Sequence, residues 1–115
     1  MRIGELARRS GVSTRALRYY EEQGLLESAR TGNGYRVYDD SALLRVRQIR
    51  ALLDAGFNSA AVAQLLQCAS GPRPHIQQCP MTIAAMRETL RRIESDLETL
   101  SGRHSAVTAL LTEAS

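Results

Sequence analysis

The stretch that decides the fold is Ile3-Gly4-Glu5-Leu6-Ala7-Arg8-Arg9-Ser10-Gly11-Val12-Ser13-Thr14-Arg15-Ala16-Leu17-Arg18-Tyr19-Tyr20-Glu21-Glu22-Gln23-Gly24. Ile3, Leu6 and Ala7 recur at helical spacing and predict a helix over residues 3–10 with that face turned to a core. Gly11 stands where a left-handed helix stop needs a residue without a side chain. Val12 then tucks in, and Ser13 can take an orphan amide at the start of a second helix over residues 14–23. Leu17 and Tyr20 share one face of that helix, and Gly24 ends it. Helix, glycine turn and helix together form the helix-turn-helix pattern.

Reading outward, Leu25 and Leu26 open an extended segment that reaches Thr31-Gly32-Asn33-Gly34. Asn-Gly suits the positive φ of a hairpin corner. Tyr35-Arg36-Val37-Tyr38 alternates and is rich in β-formers, so residues 26–38 read as a small hairpin, a wing beside the two helices. Asp39, Asp40 and Ser41 can cap a third helix over 40–54, whose expected buried stripe is Leu43, Leu44, Val46, Ile49, Leu52 and Leu53. Ala55-Gly56 closes it. Asn58 or Ser59 caps a fourth helix carrying Ala61, Val62, Leu65 and Leu66. Gly71, Pro72 and Pro74 mark the stretch from Cys68 to Cys79 as a loop.

From Pro80 the chain reads as one long helix, since proline fits a first turn. Ile83, Met86, Leu90, Ile93, Leu97, Leu100, Val107 and Leu111 fall on the a and d positions of four consecutive heptads, with His104 as the polar break at an a position. A polar group there can fix register; it can equally be a half-exposed histidine near a fraying end. A head this small cannot cover so long a stripe, so the helix is expected to pair with a second copy. The chain therefore reads as mostly α. A winged helix-turn-helix head with a β-hairpin wing spans 1–70, a loop spans 71–79, and a dimerisation helix with a short tail spans 80–115.

The charge is unevenly placed. Residues 1–50 carry ten arginines and six acids, whereas residues 51–115 carry five arginines and six acids. The basic half is the half with the two-helix signal, which points to nucleic acid; a solvated arginine-rich surface is the plainer alternative. No apolar run is long enough to cross a membrane, and Met1-Arg2-Ile3-Gly4-Glu5 has no apolar signal core. A cytoplasmic protein with no membrane partner is the expectation, and its two cysteines need not pair. Nothing resembles a catalytic set: His75 and His104 lie far apart without a nucleophile in a defined turn.

Ile3-Gly4-Glu5-Leu6-Ala7, Gly11-Val12-Ser13, Leu17-Arg18-Tyr19-Tyr20-Glu21, Gly24-Leu25-Leu26 and Gly34-Tyr35-Arg36-Val37-Tyr38, in this order and spacing, resemble the mercury-resistance-regulator (MerR) family of bacterial transcription factors. The resemblance covers about residues 1–70 closely, and the long helix continues it. It implies a winged head, an antiparallel coiled coil between two long helices, and a homodimer on double-stranded promoter DNA. The dimer bends and untwists the DNA so that RNA polymerase finds its elements realigned. It further implies that Ser13, Thr14, Arg15 and Arg18 enter the major groove and that Tyr19 bonds a phosphate. Tyr35 and Arg36 would grip the backbone, and Gly34 would let the wing come close. Tyr20 and Tyr38 are assigned to packing.

Cys79 stands where the family's metal sensors place their first ligand cysteine, but no cysteine follows it, a departure from both the metal-sensor and the iron–sulfur patterns. Cys68, His75 and Cys79 remain as a C-x₆-H-x₃-C set. They could hold zinc or copper, Cys68 and Cys79 could oxidise to a disulfide, or the pair could be inert. No cofactor is required by the sequence. A protein-interaction or DNA-architecture module without effector sensing is the alternative reading of the whole.

Overall fold

The computed structural model describes residues 1–72 and 74–114, with Ala114 described by its backbone alone. Arg73 of the expected loop and Ser115 of the expected tail lie outside the described residues. The order of elements is α1 (Ile3–Ser10), α2 (Thr14–Glu22), β1 (Ala29–Arg30), β2 (Arg36–Val37), α3 (Ser41–Asp54), α4 (Ser59–Leu66), β3 (Ala69–Ser70), β4 (His75–Ile76) and α5 (Pro80–Ala114).

The first two helices form as their sequence dictates. Gly11 adopts φ 72°, and its amide donates to the Ala7 carbonyl at 2.9 Å. Ser13 Oγ accepts the Ala16 amide at 3.1 Å, closing the second helix at its start. α2 stops at Glu22, one residue before the expected end, because the Leu25 amide returns to the Tyr20 carbonyl at 2.9 Å while Gly24 turns left-handed. Leu6, Val12, Leu17, Tyr20, Leu25 and Leu26 are all buried, and α3 and α4 complete the same core through Val46, Ile49, Leu52, Val62, Leu65 and Leu66.

The wing is shorter than residues 26–38. Only Ala29↔Val37 and Arg30↔Arg36 pair, because Leu26 joins the core and Tyr38 pairs instead with Met1. The Met1 ammonium donates to the Tyr38 carbonyl at 2.6 Å, and the Tyr38 amide donates back to the Met1 carbonyl at 2.6 Å. The corner also differs from the Asn-Gly expectation: Gly34 alone takes positive φ, 83°, and Asn33 does not. The Thr31 side chain and carbonyl accept the Tyr35 and Gly34 amides and hold the turn in another way.

Among the three candidate caps of α3, Asp39 is the one that closes the helix start, since its carboxylate accepts both the amide and the hydroxyl of Ser41. Leu44, expected inside, is 41% exposed, because the buried face follows Ala42, Val46, Ile49 and Leu52 and leaves residue 44 on the far side of the helix. Asn58 rather than Ser59 caps α4, accepting the Ala61 amide at 2.9 Å. The expected loop between α4 and α5 holds a small antiparallel hairpin, with Ala69↔Ile76 and Ser70↔His75 paired.

α5 runs about 52 Å at 1.5 Å per residue. Its first turns lie on the head. Thr82 and Thr89 are buried, Met86 packs against the core, and Ile93 reaches to within 3.6 Å of where a side chain on Gly56 would begin. Arg92 donates to the Gly56 carbonyl at 2.6 Å, locking the helix to the α3–α4 turn. Past Ile93 the helix stands clear of the head, with Leu97 61% exposed and Leu100 and Val107 each 57% exposed.

Candidate nucleic-acid interface

An open groove of about 1080 Å³ lies between the amino-terminal helices and the wing. Five arginines, Arg2, Arg8, Arg18, Arg30 and Arg36, line it together with Glu5, Glu21, Glu22, Gly34 and Tyr35. Two of the three acids are engaged: Glu5 pairs with Arg9 at 3.0 Å, and Glu21 with Arg36 at 2.8 Å. Arg15 and Arg18 project from α2, both exposed, and neither forms an ion pair with any described residue. A cationic, concave face beside an exposed second helix suits a polyanion.

The wing is fastened to α2 through Glu21. Its Oε1 accepts the Tyr38 hydroxyl at 2.8 Å while its Oε2 meets Arg36. Burial alone would push this carboxyl up, but hydrogen bonds from Ser28 and Tyr38 and the charges of Arg36 and Arg30 outweigh it and hold the group below its usual range. Burial and the neighbouring carboxylate push Tyr38 up to about 12. Tyr35 stands at the rim, 53% exposed, with the Arg2 guanidinium 4.2 Å from its ring centroid. Arg30 donates to the Gly34 carbonyl at 3.1 Å and steadies the wing's tip.

Of the residues that sequence singles out, Arg18, Gly34, Tyr35 and Arg36 meet in this one groove. Ser13, Thr14, Arg15 and Tyr19 belong to the adjoining face of α2: Ser13 caps the helix, Arg15 is exposed, and the Tyr19 hydroxyl bonds Ser59 at the start of α4 at 3.3 Å. Tyr20 and Tyr38 pack inside, as expected. Sequence reasoning missed Arg2, Arg8 and Arg30. Their only signal was the charge excess of the first fifty residues, which does not say where in space they fall.

Residues 1–68 match the MerR HTH family of regulatory proteins. The chain belongs to the MerR family. It is 32% identical over 110 residues to the HTH-type transcriptional regulator ZntR of Escherichia coli K12, covering 95% of this chain and 77% of that one. It is 38% identical over 103 residues to the nodulation protein NolA of Bradyrhizobium sp. strain NC92, covering 83% of this chain and 44% of that one, so it spans less than half of that relative's length. Among solved structures, the transcription regulator PbrR691 of Ralstonia metallidurans CH34, in complex with lead(II), superposes with a TM-score of 0.75 at 26% identity over 96% of this chain and 84% of that one.

In this MerR-family chain the three-ligand metal set is not assembled. Among the described residues no three His, Cys, Asp or Glu side chains come together as a metal cluster, because His75 lies exposed in β4 and does not join the cysteines. Cys68 and Cys79 are free and half-buried. No helix among the described residues is long and apolar enough to cross a membrane.

Proposed function

We propose that this MerR-family chain binds promoter DNA as a homodimer and controls transcription by distorting the promoter, acting by binding and without catalysis. One observation carries the reading: Arg18, Tyr35 and Arg36 share a cationic groove next to the exposed face of α2, in a chain whose long last helix leaves an apolar stripe in solvent. Ser13, Thr14, Arg15 and Arg18 enter the major groove, and Tyr19 bonds a phosphate. Gly34, Tyr35 and Arg36 hold the backbone, joined by Arg2 and Arg30. Phosphate contacts position the head, and base-edge contacts from Arg15 or Arg18 give specificity.

The division of labour follows the chain: residues 1–70 form the head, 71–79 the connector and 80–115 the dimerisation helix. Ile83, Met86, Leu90, Ile93, Leu97, Leu100, His104, Val107 and Leu111 form the seam, with Leu97 and Leu100 at its exposed centre. The head already touches Met86 and Ile93, which makes them a joint between head and rod. Bending DNA costs on the order of several kcal/mol. Two heads at a fixed separation can impose that strain, and one head cannot. RNA polymerase then meets this protein through the shared promoter, in the cytoplasm.

The test is titration of a promoter duplex by fluorescence anisotropy at several salt concentrations, with the mass of the complex measured by light scattering. The reading expects two chains per duplex and an affinity that falls steeply with salt. A monomer bound with no salt dependence contradicts it. Of the alternative, a protein-interaction or DNA-architecture module, the protein-interaction form expects a monomer that binds no duplex.

A further inference from the structure

Cys68 and Cys79 stand at the two roots of the β3–β4 hairpin. The Gln77 amide donates to the Cys68 carbonyl at 3.0 Å, carrying the ladder one pair beyond Ala69↔Ile76 and setting Cys68 against the strand that leads into Cys79. Cys79 immediately precedes Pro80, the first residue of α5. Thr82, fully buried, fixes it there: Thr82 Oγ1 accepts the Cys79 amide at 2.9 Å, donates to the Gln77 carbonyl at 2.9 Å and lies 3.5 Å from Cys79 Sγ. The hairpin is also tied to the head, because the buried Gln48 amide donates to the Gly71 carbonyl at 3.2 Å. Both thiols are free and partly open to solvent.

We propose that Cys68 and Cys79 are a hydroperoxide-sensitive dithiol that closes to an intramolecular disulfide at the junction between the head and α5. Cys79 is the attacking group. It stands at the amino-terminal end of α5, whose dipole favours a thiolate, with its Sγ 3.5 Å from Thr82 Oγ1 and with the Cys68 thiol as its hydrogen-bonding neighbour. The Cys79 thiolate attacks one oxygen of a hydroperoxide. The O–O bond breaks, the alcohol or water leaves with a proton, and Cys79 becomes a sulfenic acid. The Cys68 sulfur then attacks the Cys79 sulfur. The S–O bond breaks, and the hydroxyl departs as water with the Cys68 proton. Two thiols and one hydroperoxide thus give one disulfide, one alcohol or water and one further water, with two electrons passing from sulfur to oxygen. The bond would staple the hairpin root to the start of α5, which Thr82 already holds, while Gln48 ties the hairpin's turn to the head through Gly71. The thiol chemistry stands by itself; only its effect on promoter binding rests on the function proposed above.

The experiment uses the reduced full chain and hydrogen peroxide. Intact mass and non-reducing peptide mapping are expected to show loss of both thiols and a peptide joining Cys68 to Cys79 within one chain. With Cys68→Ser the reaction is expected to stop at a Cys79 sulfenic acid that dimedone traps. With Cys79→Ser, Cys68 is expected to survive the same exposure. Disulfides formed only between chains, oxidation of Cys79 to sulfinic acid without a Cys68 link in the wild-type chain, or Cys68 reacting first would each overturn the proposal. Duplex titration of both forms separates the two readings: a reduced chain that binds no duplex defeats the DNA-binding reading, while the mapped disulfide still supports the dithiol.

Discussion

The head and the far half of α5 obey opposite rules. In the head, apolar side chains vanish from solvent: Leu6, Leu17, Val46, Ile49, Val62 and Leu65 are fully buried, and the starts of α2, α3 and α4 are closed by Ser13, Asp39 and Asn58. In α5 beyond Ile93, leucines at heptad spacing face water in the single chain. Each such side chain, once covered, contributes roughly 1.5–3 kcal/mol. The head is thus a folded unit within one chain, whereas the rod leaves its apolar face in solvent, where the proposed second copy would cover it. A core mutation and a seam mutation should therefore fail in different ways.

The largest effect is expected from Leu97→Asp. Every dimer would receive the new charge twice, so analytical ultracentrifugation should find monomers at concentrations where the wild-type chain is dimeric, with the head still folded by circular dichroism. A variant that sediments as a dimer would displace Leu97 from the seam. Next is Leu17→Ala, which opens a cavity in the centre of the head and should cost about 2–5 kcal/mol in denaturant unfolding. It should leave the rod's pairing intact in whatever fraction remains folded. Equal damage from Leu17→Ala and a rod substitution to head stability would erase the distinction between the regions.

Arg18→Ala touches neither core nor seam. It should weaken promoter binding by about 1–3 kcal/mol if Arg18 reads a base edge. Unchanged melting and unchanged dimer mass should accompany the loss, and unchanged affinity would remove Arg18 from the interface.

The smallest effect belongs to the wing anchor and depends on pH. Glu21 lies below its ordinary value of 4.5 in the fold, so its contribution is fully present above that value and disappears as pH falls through its lower folded one. Tyr38 moves the other way, from 10.0 up to about 12: its contribution is complete below pH 10 and is lost as pH rises through about 12. Melting temperature measured from pH 8 to pH 12 should fall less steeply in Tyr38→Phe than in the wild-type chain. Identical slopes would show that the Tyr38–Glu21 bond contributes nothing to the wing's hold.

What sequence disclosed, and what it hid, follows the range of the interactions. Gly11, Ser13 and the spacing of Ile3, Leu6, Leu17 and Tyr20 act within a few residues, so both amino-terminal helices were legible. Arg2 against Tyr35 depends on Met1 pairing with Tyr38, a contact between distant parts of the chain that no local pattern announces. The β3–β4 hairpin escaped because its strands are two residues each and lie among Gly71, Pro72 and Pro74. Heptad spacing revealed an apolar stripe on α5 without saying what covers it: Met86 and Ile93 already rest on the head, beside the buried Thr82 and Thr89, which a hydrophobic pattern passes over. Cys68 and Cys79 were visible as residues. Their position at one hairpin root was not, and it also explains why His75 fails to complete a three-ligand set.

The central claim is that twin heads, held at a fixed separation by paired rods, grip one duplex. Footprinting of the purified chain on genomic DNA of its host tests it most directly. The account predicts protected sites in pairs, two half-sites facing one another at a constant spacing within promoters, and loss of both halves together in Leu97→Asp. Single, unpaired half-sites protected equally well by the wild-type chain and by Leu97→Asp would contradict it.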